Sequence, residues 1–294
     1  PTGFSALNSP SYRDYFERMK NWMSYYDANI FLSNNYQDIN FAREYGIKAI
    51  EVIPNGANEI EFDNVSNVSI REHLNLAADT KLILTVGSHT GYKGHLAAIK
   101  IYKKARIANS ALLIIGNVTT AGGPLSNFAK GILNLLGLRK TNCSINCKTS
   151  ALSFNCNHSD RKIYVKELSR EVTVNAYKQA DLFLFPSLIE CSPIVLFESM
   201  CASTPFLVTD VGNAKEIIKW SNGGVLLPTE KDAEGFSLAN VEESAKIMKE
   251  LLNNPSKMKE YSNYGNESFH KNFTWNKIAK KYEDLYLKLT NGIN

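Results

Sequence analysis

Along this chain the apolar and polar positions change character at about residue 80. From residue 81 onward, short and nearly continuous apolar runs alternate with stretches of helical periodicity, which predicts consecutive strand-helix units. The predicted strands are "KLILTV" (81–86), "ALLIIG" (111–116), "KIYVKE" (162–167), "DLFLFPS" (181–187), "PFLVTD" (205–210) and "GVLLP" (224–228). Unbroken apolar runs, as opposed to in-out alternation, mark strands covered by helices on both faces. Helices are predicted between them at about 93–107, 124–137, 170–180, 193–202 and 213–220. This alternation predicts an α/β fold built on an open, mostly parallel, doubly wound sheet, whose ligands sit at the carboxyl ends of the strands.

Before residue 55 the pattern predicts a smaller piece. "RDYFERMKNWMSYY" reads as a helix, "DANIFLS" as a strand, "NNYQDINFAREYG" as a helix ended by Gly46, and "KAIEVIP" as a second strand. This is too little for a separate core. At the other end, helices are predicted at about 241–253 and 256–270, then over "FTWNKIAKKYEDLYLKL", where Trp275, Ile278, Tyr282, Leu285 and Leu289 form one apolar stripe. Residues 138–161, "LRKTNCSINCKTSALSFNCNHSDR", are polar and lack periodicity, which predicts an inserted loop.

Composition narrows the classes. Of 294 residues, 44% are hydrophobic and 21% charged, so the chain can bury a large core. The net charge of +4 comes from interleaved acidic and basic residues, which gives no warrant for a nucleic-acid partner but leaves a small anionic ligand open. No run approaches the roughly 18 apolar residues of a bilayer span, and the N-terminus lacks the pattern of a secretory signal. Five cysteines at irregular spacing do not make a disulfide framework. The expected location is therefore cytoplasmic, with peripheral contact to the inner face of a membrane left open. Because the first residue is Pro1, the chain reads as a fragment or a trimmed sequence.

Two strand-to-helix junctions carry the chemistry. In "LIECSPIVLFES" (188–199), Glu190 and Glu198 stand among apolar and small residues, where an unpaired carboxylate costs several kcal/mol, roughly. Ser192 is a good helix cap and Pro193 suits the first helical position. The free amides of Ile194 and Val195, with the helix dipole, then favour an anion such as a diphosphate. Glu198 follows about one turn later and leans back toward the same crevice, with Glu190 at its rim. Neither glutamate has a Lys or Arg four residues away, and Val195 occupies the place of a capping-box acid, so local structure does not account for the pair. A carboxylate accepts two hydrogen bonds side by side and so matches a vicinal diol, which points to a sugar nucleotide. The second junction, "LTVGSHTGYKGH" (84–95), brings Gly87, Gly91 and Gly94 with Lys93 at a helix start. It fits neither the P-loop nor the G-x-G-x-x-G spacing, but it sets a point charge beside a phosphate.

These residues resemble the retaining glycosyltransferases of family 4, with the GT-B fold of two Rossmann-like domains. "VIPNGANEIEF" looks like the interdomain linker, "VGSHTGYKGH" is similar to the phosphate-binding turn, "YKQADLFLFPSLIECSPIVLFESM" carries an E-x7-E signature, and "TPFLVTDVGNAKEII" resembles the strand and turn that follow it. The resemblance implies three parts: 1–54, a remnant of the N-terminal acceptor domain; 55–272, the C-terminal sugar-nucleotide-binding domain with the inserted loop 138–161; and 273–294, a C-terminal helix crossing back, its stripe left exposed by the missing part of the acceptor domain. It implies that Glu190 and Lys93 are the catalytic pair, with Glu190 on the donor sugar and Glu198 on the ribose. Backbone amides around Ser192, Pro193, Ile194 and Val195 and the Lys93 side chain would hold the diphosphate, Gly87, Ser88 and Cys191 would belong to the donor site, and Glu167 and Leu168 would face the nucleobase. At Ser88 the family usually has an arginine, so one phosphate cation is absent or comes from elsewhere.

The activity so implied is transfer of a sugar, of the hexosyl type, from a UDP-sugar or GDP-sugar to an acceptor hydroxyl with the anomeric configuration kept, in glycan or cell-surface polysaccharide synthesis. The acceptor would be a glycan or lipid-linked sugar. The alternatives are a non-catalytic sugar-nucleotide-binding subunit and a GT-B sugar-nucleotide epimerase. No cofactor is expected, and with no D-x-D motif no metal is required. Cys143, Cys147, Cys156 and His158 lie close in sequence, but C-x3-C-x8-C-x-H departs from the usual paired zinc spacings. His89 and His95 read as neighbours of the phosphate turn rather than as catalytic bases.

Overall fold

A computed structural model of the chain describes residues 4, 7, 9–64, 68–117 and 143–291. The helix predicted at about 124–137 lies outside the described residues. In chain order, the N-terminal piece holds α1 (Arg13–Tyr25), β1 (Asn29–Phe31), α2 (Gln37–Glu44) and β2 (Ile50–Val52). Two short helices follow, α3 (Glu59–Asp63) and α4 (Ile70–His73). Then come β3 (Lys81–Val86), α5 (His95–Ala105), β4 (Ser110–Ile115), α6 (Cys143–Asn157), β5 (Arg161–Lys166), α7 (Arg170–Gln179), β6 (Leu182–Phe185), α8 (Ile194–Cys201), β7 (Phe206–Val208), α9 (Ala214–Ser221) and β8 (Gly224–Leu226). The chain ends with a hairpin of β9 (Thr229–Lys231) and β10 (Ser237–Ala239), then α10 (Val241–Leu252), α11 (Pro255–Asn272) and α12 (Trp275–Asn291).

β3 to β8 form one parallel six-stranded sheet in the order β5-β4-β3-β6-β7-β8. Successive side chains of each strand enter opposite layers, as the period of two requires. Leu82, Leu84, Leu113, Phe183, Phe185 and Phe206 pack with residues of α7, α8, α9 and α11. Ile83, Leu112, Ile114, Leu182, Leu184 and Leu207 pack with residues of α5, α6 and α10. Both faces are therefore dry, which is why these strands read as unbroken apolar runs.

β1 and β2 pair in parallel beside this domain. The stripe of α12 was expected to be exposed, and here the structure differs: Ile278 and Leu285 are buried, packing with Ile53, Ala28 and Ile30. Even this short N-terminal sheet presents enough apolar surface to cover the centre of the stripe, while Trp275 stays exposed. The backbone fixes the crossing. Ala57 donates to Phe273 at 3.1 Å and Trp275 donates to Ala57 at 3.1 Å, so the linker and the start of α12 form one joint.

The inserted loop predicted at 138–161 is also corrected, since residues 143–157 are helical. Cys147, Ala151 and Phe154 recur at i, i+4 and i+7 and are buried against α5 and β5. Small and polar residues around them hide the stripe, because a cysteine buried as an apolar residue does not announce itself. The hairpin of β9 and β10 is a further element that the apolar pattern does not reveal, its strands being short and largely polar.

Glu216 fastens the N-terminal piece to the sheet domain. It is buried in α9 and accepts from Ser33 Oγ at 2.7 Å, the Asn34 amide at 2.9 Å and Asn35 Nδ2 at 3.0 Å. Glu216→Ala leaves these donors without their acceptor and is expected to cost about 2 kcal/mol in urea denaturation, with Glu216→Gln intermediate.

Candidate functional site

In the order β5-β4-β3-β6-β7-β8 the chain winds outward in one direction from β3 and in the other from β6. Their carboxyl ends therefore flank a topological switch point, where the two neighbouring turns leave a crevice. β3 runs into the turn of Gly87 to Gly94 and β6 into the loop 186–193, so the two segments singled out in the sequence meet there. Lys93 Nζ lies 2.6 Å from Glu190 Oε1 although the residues are 97 apart in the chain. Ser187 Oγ lies 2.8 Å from the same carboxylate oxygen. Among the described residues, both contacts to Glu190 fall on Oε1.

The loop is held on every side. Leu188 donates to the Tyr92 carbonyl at 2.8 Å, Asn213 donates to the Cys191 carbonyl at 2.9 Å, and Ser237 in β10 donates to the Leu188 carbonyl at 2.8 Å. Asn55, from the linker, donates through Nδ2 to the Ser192 carbonyl at 3.0 Å. Gly94 and Gly212 both adopt positive φ, +70° and +51°, and a Cβ on either would run into a carbonyl of this loop, that of Pro186 or Cys191. Only glycine permits so close an approach of backbone to backbone.

Two details differ from the sequence reading. The helix after β3 starts at His95 with Gly94 as a left-handed cap, so Lys93 stands in the turn and not on the helix. Positive φ at Gly94 stops the helix from beginning earlier. After β6, α8 starts at Ile194 with Pro193 in the cap position, and Ser192 does not cap it. The Ser192 hydroxyl is instead buried with no hydrogen-bond partner among the described residues. The first-turn amides of Ile194 and Val195, two and three residues on, have no acceptor within the helix.

Glu198 is buried in α8 and paired with Arg170 Nη2 at 2.7 Å. Arg170, at the start of α7, also holds Glu61 Oε2 through Nε at 3.0 Å and Nη2 at 2.6 Å. Gly87 donates to the Ile115 carbonyl at 2.9 Å, and Ser88 follows it, half-buried, in the turn. Glu167 and Leu168 lie at the end of β5, the outermost strand on that side, with Glu167 exposed. Two strands separate them from the crevice, about 10 Å. The structure thus joins Lys93, Ser187, Glu190, Cys191 and Ser192 in one place, sets Glu198 deeper along α8, and leaves Glu167 and Leu168 at the edge.

Residues that the sequence did not single out also lie near this site. Asp38, at the start of α2, is buried, and its charge reaches Tyr36 and Cys191, as does that of Glu190. Burial holds the Asp38 carboxyl above its ordinary value, against the 2.8 Å hydrogen bond from the Ile39 amide. Arg170 and Ser187 carry no local signal, because their partners come from other elements. Elsewhere, the exposed groove along α12, lined by Trp275, Tyr282, Tyr286 and Leu287, is almost wholly apolar and carries none of this chemistry. Among the described residues no helix is long and apolar enough to cross a membrane.

The six-stranded parallel sheet flanked by helices is a fold of the kind found in GT-B glycosyltransferases. The chain belongs to the glycosyl transferases group 1 family, which it matches over residues 67–268. It is 26% identical over 242 residues to an uncharacterized glycosyltransferase of Methanocaldococcus jannaschii, covering 81% of this chain and 53% of that protein. It therefore spans about half the length of this relative. The sucrose-phosphate synthase of Thermosynechococcus elongatus superposes with a TM-score of 0.67 at 20% identity, over 94% of this chain and 62% of its own. The Anabaena protein HepE, in complex with UDP, superposes with a TM-score of 0.68 at 14% identity, over 93% and 67%.

Two measurements probe this geometry. In a double-mutant cycle, Lys93→Met and Glu190→Gln are expected to couple by about 1–3 kcal/mol in urea denaturation, as befits a largely buried charge pair. Asp38 has a folded-state value raised above 3.8, so the fold loses stability as pH rises from 3.8 through that raised value. Asp38→Asn is therefore expected to raise the melting temperature at pH 7 and to make little difference near pH 3.5, roughly the unfolded carboxyl range.

Proposed function

We propose that this chain binds a nucleotide-diphosphate sugar at the crevice between β3 and β6 and, as part of a retaining transferase of family 4, delivers the sugar to an acceptor hydroxyl. The observation that carries the reading is the meeting of Lys93 and Glu190 at 2.6 Å beside a helix start whose Ser192 hydroxyl is buried and unpartnered. A diphosphate satisfies what this arrangement lacks. Its oxygens accept from the Ser192 hydroxyl and from the amides of Ile194 and Val195, and the helix dipole favours its charge. The Lys93 ammonium has three N–H donors, so it can keep Glu190 and still reach a phosphate. The UDP of the Anabaena neighbour supports a nucleotide in this class of fold.

As the sugar leaves, the diphosphate gathers negative charge. Lys93 and the helix amides stabilise it before water can, a contribution on the order of 3 kcal/mol. Glu190 uses its remaining acceptor capacity on the sugar hydroxyls. Glu198 and Arg170 lie further along, on the side assigned to the ribose, and the base lies toward Glu167 and Leu168. The carboxylates bind hydroxyls, and a metal bridging the phosphates is not part of this reading because the chain has no D-x-D motif. Hexosyl transfer into a glycan or lipid-linked acceptor at the inner face of a membrane is the process this activity serves.

The test is binding, then products. Millimolar UDP or GDP is expected to raise the melting temperature of the wild-type chain, equivalent to about 2.7 kcal/mol when the ligand stands at 100 times its Kd. Glu198→Ala and Lys93→Ala should abolish most of that rise, and Glu190→Gln should spare free nucleotide while weakening the sugar nucleotide. No response to either nucleotide, or an unchanged response in Glu198→Ala, ends the reading. With donor and a cell-derived acceptor, glycoside with retained configuration marks a transferase, an isomerised donor marks an epimerase, and binding without turnover marks a non-catalytic subunit.

A further inference from the structure

Against α5, the helix α6 brings its first two cysteines to the two histidines of the glycine turn. His89, His95, Cys143 and Cys147 each offer one ligand atom, and these atoms all lie within 4.8 Å of one another. His89, His95 and Cys147 are buried, and Cys143 is half-buried. We propose that these four side chains form a zinc site that clamps the turn carrying Lys93 to α6.

The distances carry the proposal. Nδ1 of His89 and Nδ1 of His95 are 3.0 Å apart. Cys143 Sγ lies 3.6 Å from His89 Nδ1, 3.9 Å from His95 Nδ1 and 4.0 Å from Cys147 Sγ. Tetrahedral zinc, with Zn–S of about 2.3 Å and Zn–N of about 2.0 Å, requires N···N of about 3.3 Å, S···N of about 3.5 Å and S···S of about 3.8 Å. Each of these four separations is within about 0.4 Å of its required value, and those from Cys147 to the two histidines lie within 4.8 Å, differences that side-chain rotation closes. The two rings meet edge to face, at 73° with centroids 4.5 Å apart, so both Nδ1 atoms turn to one point without stacking.

Helix geometry explains the cysteine pair, because residues at i and i+4 share a face. The histidines come from either side of one turn: His89 follows Gly87, and His95 opens α5 behind Gly94. Two thiolates and two imidazoles are a set that suits zinc, and four protein ligands leave no open position, which marks a structural site and not a catalytic one. On binding, Cys143 and Cys147 give up their thiol protons to solvent, and the two thiolates neutralise the 2+ ion, so no net charge is buried.

A disulfide is the competing use of the two cysteines, but their sulfurs stand 4.0 Å apart, about twice the bonded length. Cys156 and His158 do not join the cluster. Cys156 is exposed, and His158 stacks on Phe154 at 4.0 Å. The position of the ion gives the site its consequence. Lys93 lies between His89 and His95, so a metal on both histidines closes the turn around it and holds the ammonium toward Glu190. This site does not depend on the transferase reading, because its metal content is measured without donor or acceptor.

The experiment is metal analysis of the whole chain, purified under reducing conditions without added chelator. One zinc per chain is expected by elemental analysis. Cobalt(II) in its place should give the visible d–d bands of a tetrahedral site and near-ultraviolet thiolate-to-cobalt charge transfer. Cys143→Ser and His89→Ala should lose the stoichiometric metal, while Cys156→Ser and His158→Ala keep it. Chelation should lower the melting temperature of the wild-type chain and leave that of Cys143→Ser unchanged. The proposal is overturned if the wild-type chain takes up neither zinc nor cobalt in tetrahedral form. It is equally overturned if Cys143→Ser binds the metal as well as wild type, or if mass spectrometry of the natively isolated chain finds a Cys143–Cys147 disulfide and no metal. The cobalt spectrum of the wild-type chain decides the matter even if a variant fails to fold.

Discussion

A carboxylate taken out of water must be met by a cation or by hydrogen-bond donors, and at Glu190 this requirement organises the molecule. Its partners, Lys93 and Ser187, come from the ends of the two strands that stand side by side at the centre of the sheet. To bring Lys93 within 2.6 Å, the glycine turn must lie directly on the loop after β6, and Gly94 makes that possible by leaving room for the Pro186 carbonyl. The remaining clamps, from Asn213, Ser237 and Asn55, then hold the loop in the one shape that keeps the pair. The pair is therefore in place without a ligand, as the proposed stabilisation of a leaving group would need.

Much of this was legible because it rests on local chemistry. Six apolar runs gave the sheet, since a strand covered on both faces has no polar positions to spare. The turn and the loop announced themselves through glycines and through glutamates in apolar company. What the sequence concealed is partnership across distance. Arg170 looks like a solvated residue at a helix start until the fold sets it 2.7 Å from Glu198. Asp38 and Glu216 are ordinary acids of helices until the N-terminal piece packs against the sheet domain, where both are buried. The helix α6 was hidden because its apolar face is drawn partly from cysteine and alanine, and Cys143 and Cys147 found partners in histidines that no spacing rule connects to them.

The exact start of α8 was a smaller miss with a larger meaning. A serine before a proline at a helix start reads as a cap, yet the helix begins one residue later, and boundaries shift by that much as a rule. Had Ser192 capped the helix, its hydroxyl would be committed to a backbone amide. Because it is not, a buried hydroxyl and two free amides stand together, and a buried polar group without a partner is costly enough to call for one. Local rules found the right junction, and the one residue at which they fail leaves a buried hydroxyl that the proposed diphosphate would satisfy.

Lys93 and Glu190 also bear on how tightly a donor can bind. If the ammonium had to leave Glu190 to reach a phosphate, the new interaction would be offset by a carboxylate left buried and unpaired. Nothing in the geometry requires that exchange. Glu190 takes both of its described contacts on Oε1, and an ammonium has donors beyond the one spent there. The phosphate can therefore be added to the pair, and each group keeps the other at the right distance while it does so.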